Sequence, residues 1–217
     1  MPGIETTKPP SVRLVATFTA IYLGAAAFAA MGSGNKEFVL YIAVVVFMMA
    51  FVWVVHTRVH LTQGALWGLS IWGLAHMLGG LTPLPGSWPI HGDHQVLYSL
   101  WLIPGRLKYD QVVHAYGFGV TTWVCWQGLR SSLQSADGRR ISPTVGRMVL
   151  ACAAGLGFGA LNEVIEFTAT LLVPETNVGG YLNTGWDLVA NLVGCVAVST
   201  LIYVFDRPGG RTRETAL

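Results

Sequence analysis

The sequence predicts an all-α, polytopic membrane bundle of about six transmembrane helices, with the N- and C-termini on the cytoplasmic side. Three observations carry that prediction. The 217 residues are 53% hydrophobic and only 11% charged, with a mean hydropathy of +0.53, a composition of multi-span membrane proteins. Apolar runs recur at lengths near or above the roughly 20 residues that cross about 30 Å of hydrocarbon. The basic residues are unevenly shared between the connections, which sets orientation.

Taken in order, the first run extends from about Val12 to Met31. Its Ala-rich end has some likeness to a signal-peptide cleavage region but is read as part of a retained helix. The second and third runs cover Phe38 to His56 and Leu61 to Leu81. A connection over 82–107 follows, mixing Pro and Gly turns with Trp88, Tyr98 and Trp101 and carrying His91, Asp93 and His94; it is a candidate lid in the membrane interface. The fourth run covers Lys108 to Leu129, and a polar cytoplasmic loop over 131–144 leads to the fifth, Val145 to Val173. The sixth covers Tyr181 to Phe205, and a polar cytoplasmic tail occupies 206–217. Residues 1–217 thus read as one integral-membrane domain.

With the N-terminus inside, the cytoplasmic side holds Lys8, Arg13, Arg58, Arg130, Arg139, Arg140, Arg147, Arg207, Arg211 and Arg213, against Lys36, Arg106 and Lys108 outside. That bias matches the positive-inside rule. The net charge of +2 is then a by-product of topology, and no nucleic-acid partner is expected. Cys125, Cys152 and Cys195 all fall within predicted helices without a C-x-x-C pair, so they read as small buried hydrophobes.

Acidic and imidazole groups interrupt these apolar runs. Asp110 and His114 lie in the fourth, Glu163 and Glu166 in the fifth, and Asp187 and Asn191 in the sixth. Charged groups at membrane depth cost several kcal/mol unless partnered, which makes them functional candidates. Helices three and five run outward while four and six run inward. At 1.5 Å per residue, His76 and the three pairs then all fall within roughly 15 Å of the outer ends of their helices. The i, i+3 and i, i+4 spacings put each pair on one helix face.

Four carboxylates in one low-dielectric region cannot all ionise unaided. The sequence offers almost no Lys or Arg at that depth, Arg106 and Lys108 being placed near the outer surface. The counter-charge is therefore expected to be protons or a metal. Carboxylate plus imidazole without thiolate suits Zn, Mn or Fe, as one or two divalent ions. The candidate ligands are His76, Asp110, His114, Glu166 and Asp187, with Glu163 as general base on a metal-activated water. Asn191 is expected to orient Asp187 from behind the ligands, with Asn162 in a similar supporting position. His56, Arg58 and His60 sit at the other end of the second run and read as interface anchors, and Gly79, Gly80, Gly117 and Gly119 as close-packing positions.

The segments YDQVVHAYGFG (Tyr109 to Gly119), NEVIEF (Asn162 to Phe167) and VPETNVGGYLNTGWDLVANLVG (Val173 to Gly194) resemble the D-x-x-x-H, E-x-x-E/Q and D-x-x-x-N-x-x-G series of VanZ-like membrane proteins. They resemble the YjdF-like inner-membrane proteins more closely, because Asn162-Glu163 stands where VanZ-like proteins commonly have Asp-Glu, and Glu166 where they commonly have Gln. The VanZ-like resemblance implies an association with resistance to glycopeptides such as teicoplanin. Neither resemblance implies a settled reaction.

The leading expectation is a metal-dependent hydrolase or transferase of the bacterial inner membrane, acting at the outer side on a lipid or cell-envelope precursor, with membrane lipids as its surroundings. Three alternatives stand beside it: a cation- or proton-coupled transporter, a di-iron oxidoreductase, and a structural membrane protein.

Overall fold

The computed structural model describes residues 12–33, 36–92, 95–133, 141–172 and 180–206. They form six long helices: α1 (Val12–Ser33), α2 (Lys36–Val59), α3 (Gln63–Leu81), α4 (Tyr109–Ser132), α5 (Val145–Leu172) and α6 (Tyr181–Phe205). Each coincides with one of the six apolar runs to within a few residues. By length and composition α1, α5 and α6 qualify as membrane-spanning, and α2 carries a shorter apolar stretch, Val44–Val59. Polar residues such as Asp110, Gln111, His114, Thr121, Thr122 and Gln127 dilute the apolar character of the equally long α4.

α4 owes its polarity to its place at the centre. It packs on α6, α5 and α3, and α5 also packs on α6, whereas α1 lies on α3 and α2 touches the rest only lightly. Close approach requires small residues. A Cβ on Gly194 would run into the Ala115 carbonyl, and one on Gly159 would come 2.9 Å from Asn191 Nδ2. Gly79, Gly117 and Gly119 likewise face Tyr98, Trp72 and Val198, as packing positions do. Large apolar side chains such as Leu161, Val164 and Phe167 on α5 and Val193 and Val196 on α6 are exposed, as a bilayer solvent permits.

The 82–107 connection is more ordered than a plain loop. It contains a 3-10 turn, Leu97–Ser99, and an antiparallel pair of β1 (Trp101–Ile103) with β2 (Leu107–Lys108). The intervening Pro104-Gly105 turn uses a positive φ of 68° at Gly105, which glycine adopts without steric cost. β2 runs directly into α4. The Lys108 backbone N–H donates to Gln111 Oε1 at 2.9 Å, which satisfies one orphan donor at the helix start.

At the opposite end of the bundle, Trp126, Ile141, Met148, Ala151 and Ile202 form a buried apolar plug. Beside it Arg130 Nη1 donates to Asp206 Oδ2 at 2.6 Å, and Trp126 Nε1 donates to the same oxygen at 3.2 Å.

Candidate metal centre

At the hairpin end, the start of α4, the end of α5 and the start of α6 present their polar faces to one another. His114 is the hub, with 2% of its surface exposed. Its Nε2 lies 3.6 Å from Asp110 Oδ1 and 3.9 Å from Glu166 Oε1, and its Nδ1 lies 3.5 Å from Glu163 Oε1. Asn191 Oδ1 faces the same Nδ1 at 3.1 Å. An amide oxygen can only accept, so the Nδ1 that faces Asn191 Oδ1 carries the ring proton, and the Nε2 lone pair is left on the side of Asp110 and Glu166.

Two overlapping sets have donor atoms mutually within 4.8 Å, Asp110 with His114 and Asp187, and His114 with Glu163 and Glu166. Glu163, Asp187 and Asn191 are all buried. Among the described residues, neither oxygen of Glu163 has a hydrogen-bond partner, nor does Asp187 Oδ1. Acceptors left without partners at this burial are costly, so the cluster calls for protons or a cation, and its donor sets could hold a metal ion.

The candidates predicted from sequence are distributed as follows. Asp110, His114, Glu163, Glu166, Asp187 and Asn191 are gathered from helices α4, α5 and α6. Asn162 Nδ2 donates to Glu166 Oε1 at 2.7 Å. Asn191 supports a different partner: it addresses His114, while Asp187 Oδ2 accepts from Asn183 Nδ2. His76 stands beside the two sets without joining either. Its ring centroid is 6.3 Å from that of His114, its Nδ1 pairs with the Tyr98 hydroxyl, and that hydroxyl donates to the His76 carbonyl at 3.0 Å. His91 packs edge-on against Trp101 in the hairpin, with centroids 5.4 Å apart. Asp93 and His94 lie outside the described residues.

Lys108, expected near the outer surface, is turned into the cluster. It is only 7% exposed, its Nζ sits 3.9 Å from Asp110 Oδ2, and it also donates to Asn183 Oδ1. The hairpin turns this side chain inward, which no local pattern announces. Asn183 was equally missed, although Asn183, Asp187 and Asn191 repeat every four residues along one stripe of α6.

Comparison with known proteins adds three findings. The family model described as "Predicted membrane protein (DUF2238)" matches residues 12–208. A curated Thermotoga maritima protein described as "Uncharacterized protein" is 29% identical over 96 residues, which is 44% of this chain and 47% of that protein, so the match spans about half of the relative. No solved structure matches the chain.

Proposed function

The chain belongs to the DUF2238 family of predicted membrane proteins, and from that premise we propose that it is a six-span protein of the bacterial inner membrane that binds a divalent metal ion. We propose further that the ion serves hydrolysis or group transfer on a lipid or lipid-linked envelope precursor at the outer face. The YjdF-like resemblance agrees with this membership, DUF2238 being that family.

The observation that carries the metal reading is the pair of buried carboxylates Glu163 and Asp187: among the described residues neither Glu163 oxygen nor Asp187 Oδ1 has a hydrogen-bond partner. Lys108 can balance one of the four clustered carboxylates, and the remainder require protons or a metal. Asp110, Asp187 and the Nε2 of His114 would hold the ion, with Glu166, whose Oε1 is 3.9 Å from the same Nε2, as a further ligand. Zn, Mn or Fe suits these donors. A metal of this kind supplies a Lewis acid and an acidified water. Glu163 is the carboxylate left to take that water's proton, while Asn191 keeps the His114 proton on Nδ1.

A travelling cation would need a polar path through the bundle. Below the site the bundle closes over Trp126, Met148 and Ile202, which favours a one-sided pocket over transport. Oxygen chemistry at two irons is disfavoured by a donor set with one imidazole. Elemental analysis of detergent-purified, tag-free protein tests the metal reading. Near-stoichiometric Zn, Mn or Fe that is lost in both Glu166→Ala and His114→Ala supports it. Wild-type protein that takes up none of these ions sinks it and leaves a structural acid network.

A further inference from the structure

Resting on the metal reading above, we propose that the Lys108 ammonium occupies the second cation position of the centre, so that only one divalent ion binds, on the His114 Nε2 side, and Lys108 sets that occupancy.

The two faces of the cluster are chemically unlike. Asp110 turns Oδ1 toward His114 Nε2 at 3.6 Å, and turns Oδ2 toward Lys108 Nζ at 3.9 Å and Asn183 Nδ2 at 3.4 Å. The same Asn183 Nδ2 donates to Asp187 Oδ2, while Asn183 Oδ1 accepts from Lys108 Nζ. On the hairpin side, then, one oxygen of each aspartate is already met by an N–H donor. A metal ion needs lone pairs and cannot use positions that donors fill. On the α5 side donors are fewer: Glu166 Oε1 accepts from Asn162 Nδ2, whereas among the described residues both oxygens of Glu163 and Asp187 Oδ1 have no hydrogen-bond partner.

Lys108 is built into this place. Its backbone is part of β2 and donates to Gln111 Oε1 at 2.9 Å, and its side chain is 7% exposed. An ammonium held so firmly is a resident cation. Together with one divalent ion it neutralises three of the four carboxylates, whereas a second divalent ion would have to displace it and strand a buried positive charge.

The test uses full-length protein in detergent, loaded with Mn²⁺ alone and desalted. Bound Mn is counted by elemental analysis, and the spins are read by electron paramagnetic resonance. Wild type and Lys108→Arg are expected to bind one Mn²⁺ per chain with an isolated-ion spectrum. Lys108→Met is expected to double the bound metal and to give an exchange-coupled spectrum. Two coupled ions in wild type overturn the proposal and leave the metal reading standing, whatever the variants do. One ion in both wild type and folded Lys108→Met overturns the role given to Lys108. No Mn²⁺ in wild type, together with no Zn²⁺ or Fe²⁺ in a parallel loading, overturns the metal reading itself and this inference with it.

Discussion

Asn191 turns its side-chain oxygen to His114 Nδ1 at 3.1 Å, from a position with no exposed surface on α6 to a ring 2% exposed on α4. This contact decides which imidazole nitrogen is free for a metal. Replacing Asn191 with Leu keeps a side chain of similar bulk and removes the acceptor. Metal affinity is expected to fall about 10- to 100-fold, as for other partners that orient a ligating histidine, while the helical circular dichroism stays unchanged. Competition against a fluorescent chelator measures it, and unaltered affinity would remove Asn191 from the site.

The α4–α6 contact depends on Gly194, because a Cβ there would overlap the Ala115 carbonyl, a backbone group that cannot swing aside. Gly194→Ala is expected to destabilise the protein by about 1–3 kcal/mol, the usual cost of overpacking. Gly157→Ala is the control, since among the described residues nothing lies within 4 Å of the Cβ it would add, and the better helix propensity of Ala makes it neutral or slightly stabilising. Thermal unfolding of the two variants in the same detergent should separate them clearly.

Much of this architecture was legible in the sequence, for reasons tied to particular residues. Asp110 with His114, Glu163 with Glu166, and Asp187 with Asn191 are spaced so that a helix must put each pair on one face, and alternate helix directions carry all three to one end. The hairpin escaped because its strands are only Trp101–Ile103 and Leu107–Lys108, too short for an alternating pattern to register. Lys108 escaped with it. A lysine at a helix boundary ordinarily reaches out to the interface, and only the tertiary contact with Asn183, 75 positions later, draws it inward.

Glu163 and Glu166 are distinguishable by their surroundings. Glu166 is partly exposed, is held by Asn162 and faces the His114 Nε2, whereas Glu163 is buried, faces the His114 Nδ1 and has no hydrogen bond among the described residues. Glu166→Gln is expected to cost most of the bound metal. Glu163→Gln is expected to keep it within about tenfold and to abolish turnover, as loss of a general base would. Equal metal contents and unaltered function in both variants would indicate acids that merely lock helices together.

The Arg130–Asp206 pair at the other end offers an independent control. Its side chains are 29% and 38% exposed, so solvent screening limits its worth, and Asp206→Asn is expected to cost less than about 1 kcal/mol. Metal content should be unchanged. A loss of metal in this variant would mean that the two ends of the bundle are coupled through α4 and α6.

Orientation admits a direct measurement. The helices that carry the site reach the hairpin from α3, α4, α5 and α6 alike, so a chemistry open to the outer face requires the hairpin to lie outside. In a cysteine-free background made by replacing Cys125, Cys152 and Cys195, a single cysteine at Arg106 should react with a membrane-impermeant maleimide added to intact spheroplasts. One at Ser132, across the bundle, should react only after lysis. The reverse pattern would place the carboxylates under the cytoplasmic surface. The proposed substrate would then have to be a cytoplasmic-leaflet molecule, and the excess of Arg in the opposite connections would violate the positive-inside bias.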